Sequence, residues 1–148
     1  MIASKSIKPT EITRKWYIVD AKDHILGRMS TRVAHVLQGK NHAYYSPQWD
    51  MGDHVIVINA KKVAVTGGKD EKKNYYRHSG FPGGMKSRTL SEMREKNPVE
   101  IITQAVRGML PKNNLARDMI KKLHVYEGAE HPYAAQTPQE LIPQQKGT

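Results

Sequence analysis

A few stretches of this sequence hold residue types that could carry reaction chemistry. Asp50 and Asp53, in QWDMGDHV, could work as a general acid and base. With Gly52 between them they fit a turn, or ion pairs to nearby lysines, equally well, and the turn is the favoured reading. VTGGKD (65–70) has the look of a phosphate loop, but the spacing between glycines is absent and Asp70 follows the lysine where Ser or Thr would be needed. It reads as a turn with at most a phosphate contact through Lys69. His78 beside Ser79 is no nucleophile pair, because neighbouring side chains rarely present base to hydroxyl and no GxSxG elbow surrounds them. His24, His35, His42 and His54 lie too far apart for a helical metal pair, and no GxGxxG follows the first strand. The chain has no cysteine, which removes thiol catalysis, disulfides and cysteine-held metals and agrees with a reducing cytosol. The expectation is a protein that is not an enzyme and has no metal or cofactor.

Binding chemistry is better represented. KKNYYRHSGFPGG places Lys72, Lys73, Arg77 and His78 around Tyr75 and Tyr76, then enters a loop with Gly80, Phe81, Pro82, Gly83 and Gly84. Clustered cations repel and glycines raise the entropy cost of folding, so the segment adds little to stability. Interleaved aromatics and donors suit RNA loops, where rings stack on bases and Arg or Lys meets phosphate. The glycines would let backbone amides approach phosphates closely. The plainer reading makes the tyrosines a strand pair with one ring in the core; it leaves the adjoining glycines and charge unexplained.

Charge supports that direction. There are 24 Lys and Arg against 14 Asp and Glu, a formal net charge of +10, which calls for a polyanion or some other account; the candidates are nucleic acid, an anionic membrane surface or an acidic protein, and charge alone does not choose among them. No apolar run is long enough to span a bilayer, and the N-terminus lacks the apolar core of a secretory signal. The excess is uneven: residues 60–96 hold ten Lys or Arg against four acids, and 104–124 hold five against one, which indicates patches. Lys69, Lys86 and Arg88 extend the first patch. The second comprises Arg107, Gly108, Lys112, Asn113, Arg117, Lys121 and Lys122, with the amides that open the next helix as an anion site. Lys5, Lys8, Arg14 and Lys15 form an arm that could become ordered along an RNA groove.

The elements that must hold these patches are legible in outline. WYIVDA (16–21) and HVIVINA (54–60) read as strands, the second covered on both faces, and VAVTG (63–67) as a further short strand. Met29, Val33, Val36 and Leu37 recur at helical spacing before a capping Gly39. Thr89 with Glu92 marks a capping box; Asn97, Pro98 and Glu100 open another helix that Pro111 ends. A third helix is expected from about Asn114 to Leu123, then an extended, proline-bearing tail that wraps the domain. The organisation expected is a basic arm over 1–15, one α/β domain over 16–126 and a tail over 127–148.

RKWYIVDAKDHILGR, WDMGDHVIVINAKKVAVTGGK, YYRHSGFPGGMK and VRGMLPKNNLARDMIKKLHVYEGAEHPYAAQTP occur in an order that resembles the family of the thirteenth large-subunit ribosomal protein in its bacterial form. The likeness runs from about Lys8 to Pro138. It implies a three-layer α/β/α domain with a mostly parallel four-stranded sheet, and a structural component of the large subunit that binds rRNA early in assembly. The implied partners are large-subunit rRNA and neighbouring ribosomal proteins, with the protein a monomer in the cytoplasmic ribosome. The implied contact regions are the arm near Arg14 and Lys15, the loop from Tyr75 to Lys86, and the turn and helix around Arg107, Gly108, Lys112, Asn113 and Lys121. The competing readings are a small phosphate-handling enzyme built on TGGK and the 50–53 acids, and a protein-binding subunit with an acidic partner.

Overall fold

The apolar run at 55–58 becomes the strand around which everything else is laid. The computed structural model describes residues 7–22 and 24–141. The elements are β1 (Trp16–Asp20), α1 (Leu26–Gln38), β2 (His54–Ile58), α2 (Lys69–Lys72), β3 (Asn74–His78) and β4 (Met85–Thr89), followed by α3 (Leu90–Lys96), α4 (Pro98–Met109), α5 (Asn114–Met119), β5 (Leu123–Val125) and β6 (Gln139–Glu140). Short 3-10 turns fill Pro9–Glu11, Ala60–Lys62, Ile120–Lys122 and Ala134–Gln136.

β2 pairs in parallel with β1 on one side and β5 on the other, and β1 pairs in parallel with β6, giving the order β5-β2-β1-β6. The crossovers β1–α1–β2 and β2–α4–β5 step in the same direction across the sheet. Right-handed crossovers then put both helices on one face, and α1 does pack against α4. Alternation sends Val19, Val55 and Val57 into that layer, where they meet Val33, Leu37, Ile101, Ile102 and Val106, all essentially inaccessible. Each such side chain contributes about 1.5–3 kcal/mol on burial. The result is a single α/β domain on a parallel four-stranded sheet, as the resemblance implies.

The local signals mostly operate as expected. Gly39 closes α1 with a left-handed φ of 78°, and a Cβ there would lie 2.6 Å from the Met51 carbonyl oxygen. Thr89 Oγ1 accepts from the Glu92 amide at 3.3 Å. Asn97 differs: its side chain makes no cap, and its Nδ2 donates to Glu100 Oε2 at 3.4 Å.

Two further expectations are corrected, and one element has no counterpart in the sequence reading. VAVTG forms only isolated bridges, Val63 to Lys22 and Ala64 to Ile25, because the 3-10 turn before it and left-handed Gly67 and Gly68 after it leave no room for a ladder. The third helix ends at Met119; Leu123, which fits the helical spacing, begins β5 and packs towards the same core from the sheet. MKSRT, not read as an element, is β4, paired antiparallel to β3. Within the tail, Gln139–Glu140 form β6 beside β1.

Alternation leaves Trp16, His54, Ile56 and His124 on the other face of the sheet. Trp16 stacks on His54 with centroids 4.2 Å apart and planes 8° apart, and Tyr133 from the tail leans on Trp16 and His124 at 4.9 and 4.6 Å. Burial pushes both histidines below the ordinary value of 6.5, and His124, Lys122 and Arg14 push His54 further. A lowered folded value means that the unfolded chain binds these protons first. Their neutral forms therefore stabilise the fold fully above pH about 6.5, and that stabilisation is lost as pH falls through the folded values. We expect the melting temperature to drop between about pH 7.5 and 5, and the drop to shrink in a His54→Gln/His124→Gln variant. Parallel curves for the two proteins would refute this assignment.

Candidate nucleic-acid interface

The tyrosine segment is one arm of a two-stranded hairpin. The register sets Tyr75 opposite Arg88, Tyr76 opposite Ser87, Arg77 opposite Lys86 and His78 opposite Met85. Cross-strand partners share a face and neighbours alternate, so Tyr75, Arg77, Lys86 and Arg88 are presented together. Tyr75 is half-buried against the core with Lys73 Nζ 5.1 Å from its ring centre, and burial raises its hydroxyl above the ordinary value of 10.0. Tyr76 is 67 % exposed. The tyrosines thus divide the work: one ring anchors the hairpin and the other faces solvent. Arg77, Lys86 and Arg88 are exposed and among the described residues form no ion pair; Glu100 lines the same depression but is bonded to Gln104 at 2.9 Å, and Asp70 is taken by Arg94 at 3.0 Å. Lys69 and Lys72 flank the hairpin on α2, exposed like it.

The glycines act differently from the expectation. The Gly80 amide donates to His78 Nδ1 at 2.9 Å and the Gly84 amide to the Phe81 carbonyl at 3.0 Å, so these amides are engaged within the turn. Gly80 and Gly83 adopt φ of 88° and 71°, and a Cβ on Gly84 would collide with Ser79. Their role is to shape a turn that holds Phe81 outward, 74 % exposed.

On the second patch, Arg107, Lys112, Asn113 and Arg117 line one depression between α4 and α5, together with Thr103. Gly108 is exposed on the last turn of α4, with open space where a Cβ would stand. Asn113 Oδ1 accepts from the Ala116 amide at 2.9 Å, so the cap is already filled on a helix of only six residues, and the helix-terminus anion site is withdrawn. Lys121 is exposed but bonded to Asp118 at 2.8 Å. Lys122 is corrected outright: its side chain is 8 % exposed, paired with Asp50 and donating to the Gly52 carbonyl at 2.8 Å. Burial lowers its ammonium from the ordinary 10.5, with Asp50 pulling the other way. It holds the 50–53 segment from within.

On the arm, Lys5 lies outside the described residues, and Lys8 is exposed. Arg14 donates to the Asp50 carbonyl at 3.4 Å. Lys15 exposes its side chain while its amide donates to buried Asp53 at 2.9 Å, and Asp53 also meets His42 Nε2 at 2.9 Å. The acids at 50 and 53 thus fasten the base of the arm, Asp50 through its ion pair with Lys122 and Asp53 through His42 and the Lys15 amide, so the lysine-pairing alternative holds for Asp50 in place of the favoured turn. Among the described residues no cluster of His, Cys, Asp or Glu is arranged to hold a metal, and no helix is long and apolar enough to cross a membrane.

One basic surface went unread in the sequence. The outer face of α1 exposes Arg28, Arg32 and His35 at helical spacing, followed by Lys40. The available signal was the absence of any Asp or Glu from His24 to Trp49.

The fold and these surfaces define a class: a small basic α/β domain with exposed aromatics and with exposed cations that form no ion pair among the described residues. A family model described as ribosomal protein L13 matches residues 14–132, and the chain belongs to that family. It is 58 % identical over 132 residues to the large ribosomal subunit protein uL13 of Geobacillus kaustophilus, covering 89 % of this chain and 91 % of that protein. It is 54 % identical over 134 residues to uL13 of Micrococcus luteus (90 % and 91 %). For uL13 of Geobacter sulfurreducens the identity is 52 % over 141 residues (95 % and 99 %).

Proposed function

We propose that the chain is a structural component of the large ribosomal subunit in the cytoplasm, binding rRNA through the hairpin and the α4–α5 surface and supporting early assembly. Family membership sets the context. The observation that carries the binding mode is the hairpin face, where three exposed cations that form no ion pair among the described residues surround a ring anchored in the core. Arg77 and Arg88 offer forked donors to phosphate and Lys86 an adaptable charge, while Tyr76 on the opposite face of the hairpin and Phe81 at its turn offer flat faces for bases. The arm extends the contact through Lys8, Arg14 and Lys15, and the tail pairs with the sheet edge through Gln139 and Glu140 and offers exposed Glu130 and Glu140 to neighbouring ribosomal proteins. No group in this arrangement is poised for reaction; the protein organises RNA as a monomer within the particle.

Arg77→Ala and Arg88→Ala should each weaken binding to cognate large-subunit rRNA and reduce the slope of log affinity against log salt by about 1. Both residues are exposed, so stability should stay within about 0.5 kcal/mol of the unmodified protein. Affinity and salt slope unchanged in both variants would defeat the hairpin assignment.

A further inference from the structure

We propose that the outer face of α1 and the groove beside it form a separate site for one unstacked nucleotide of single-stranded RNA. Its phosphate would lie on Arg32, His35 and Lys40, and its base against Trp49. The inference deepens the RNA-binding reading above and rests on it.

Two depressions meet at this place. One is lined by Arg32, His35, Lys40 and Asn41, with Tyr17 at its floor. The other is lined by Tyr45, Pro47, Trp49, Met109 and Leu110, and Lys40 belongs to both. Lys40 therefore stands where the phosphate of a nucleotide gives way to its base. In the second depression Tyr45, Trp49 and Met109 are 38 %, 41 % and 41 % exposed, an aromatic and thioether surface left open to water.

Charge identifies the occupant. From His24 to Trp49 the sequence contains no acid, and among the described residues Arg28, Arg32, His35 and Lys40 form no ion pair. Lys112 adds a further exposed cation on the turn that carries the groove's Pro111 and Asn113. An acid-free rim around aromatic faces suits a ligand that is anionic along its backbone and π-faced at its side groups, which describes single-stranded nucleic acid. α1 packs on α4 and β2, whereas the hairpin packs on α2 and α3, so the two surfaces are carried by different elements.

The test uses the full chain and two probes of equal length, a short oligoadenylate and its abasic sugar–phosphate counterpart, followed by tryptophan emission and affinity. Oligoadenylate should quench the emission, shield it from iodide and bind about tenfold more tightly than the abasic strand. Trp49→Leu should abolish the quench and the base-dependent gain. Arg32→Gln/Lys40→Gln should lower the salt slope on both probes by roughly 1.4, two contacts at about 0.7 each. Equal affinity for the two probes, or a quench that survives Trp49→Leu, overturns the proposal; the iodide measurement needs no variant, so a misfolded Trp49→Leu does not remove the test. Arg77→Ala is run against rRNA in parallel. Loss of rRNA binding there with no base effect here leaves the rRNA reading standing and removes this site, whereas no effect in either removes both.

Discussion

Gly52→Ala is expected to lower stability by about 3 kcal/mol or more, a large part of the 5–15 kcal/mol typical of a domain. A Cβ at this position would sit inside the Leu37 carbonyl and 2.9 Å from Lys122 Nζ. The Leu37 oxygen belongs to the last turn of α1, fixed in turn by Gly39 against Met51. Neither backbone can retreat without opening the α1–β2 connection, so the strain cannot be relieved by a rotamer change. The melting temperature should fall by roughly 6–12 °C, at about 2–4 °C per kcal/mol for a chain of this size. Gly27→Ala is the control. No atom lies within 4 Å of its would-be Cβ, and the position is in the first turn of α1, so it should be neutral or slightly stabilising. If both variants melt alike, the close approach of Gly52 to α1 is not what fixes this corner.

The second large effect is expected at Lys122. Lys122→Ala leaves the partly exposed Asp50 carboxylate with only Arg14, 4.0 Å away, and the Gly52 carbonyl without its Lys122 donor, a loss near the low end of the roughly 3–5 kcal/mol that removing one member of a buried pair costs. Adding Asp50→Asn should return part of it, since the residual charge is then gone. The pair also separates fold from function. Lys122→Ala should leave the salt slope of RNA binding unchanged, whereas Arg117→Ala, exposed beside Arg107, should lower it. A Lys122→Ala protein that keeps its stability and loses affinity would return this residue to the interface.

What could be read from sequence follows from how local each signal is. β2 and α1 were legible because burial imposes a period on neighbouring residues, and Gly39 and Thr89 mark ends through bonds that reach only a few positions. β4 was hidden because Met85, Lys86, Ser87 and Arg88 are all exposed, so no alternation of hydrophobicity is written into them; the strand exists through the turn at 79–84 and its partner β3. Lys122 looked like one more cation in a basic helix, since its partner Asp50 lies 72 positions away. The α1 face was missed for the opposite reason to the hairpin: Arg28, Arg32 and His35 are dispersed among buried residues and never form a run. The hairpin and α4–α5 patches were found from clustered charge, but cluster membership said nothing about which amides and lysines the fold itself would occupy.

The place of β6 in the sheet bears on how the chain matures as it is synthesised. β1, made first, keeps one edge unpaired until Gln139 and Glu140 arrive to bond with Tyr17 and Ile18. An open strand edge is a template for pairing with another chain, and contacts between distant parts of a sequence form slowly. During translation, then, Glu140 must leave the exit tunnel before this edge of β1 is paired. A nascent chain stalled within the tail would carry its aggregation-prone edge until released or degraded.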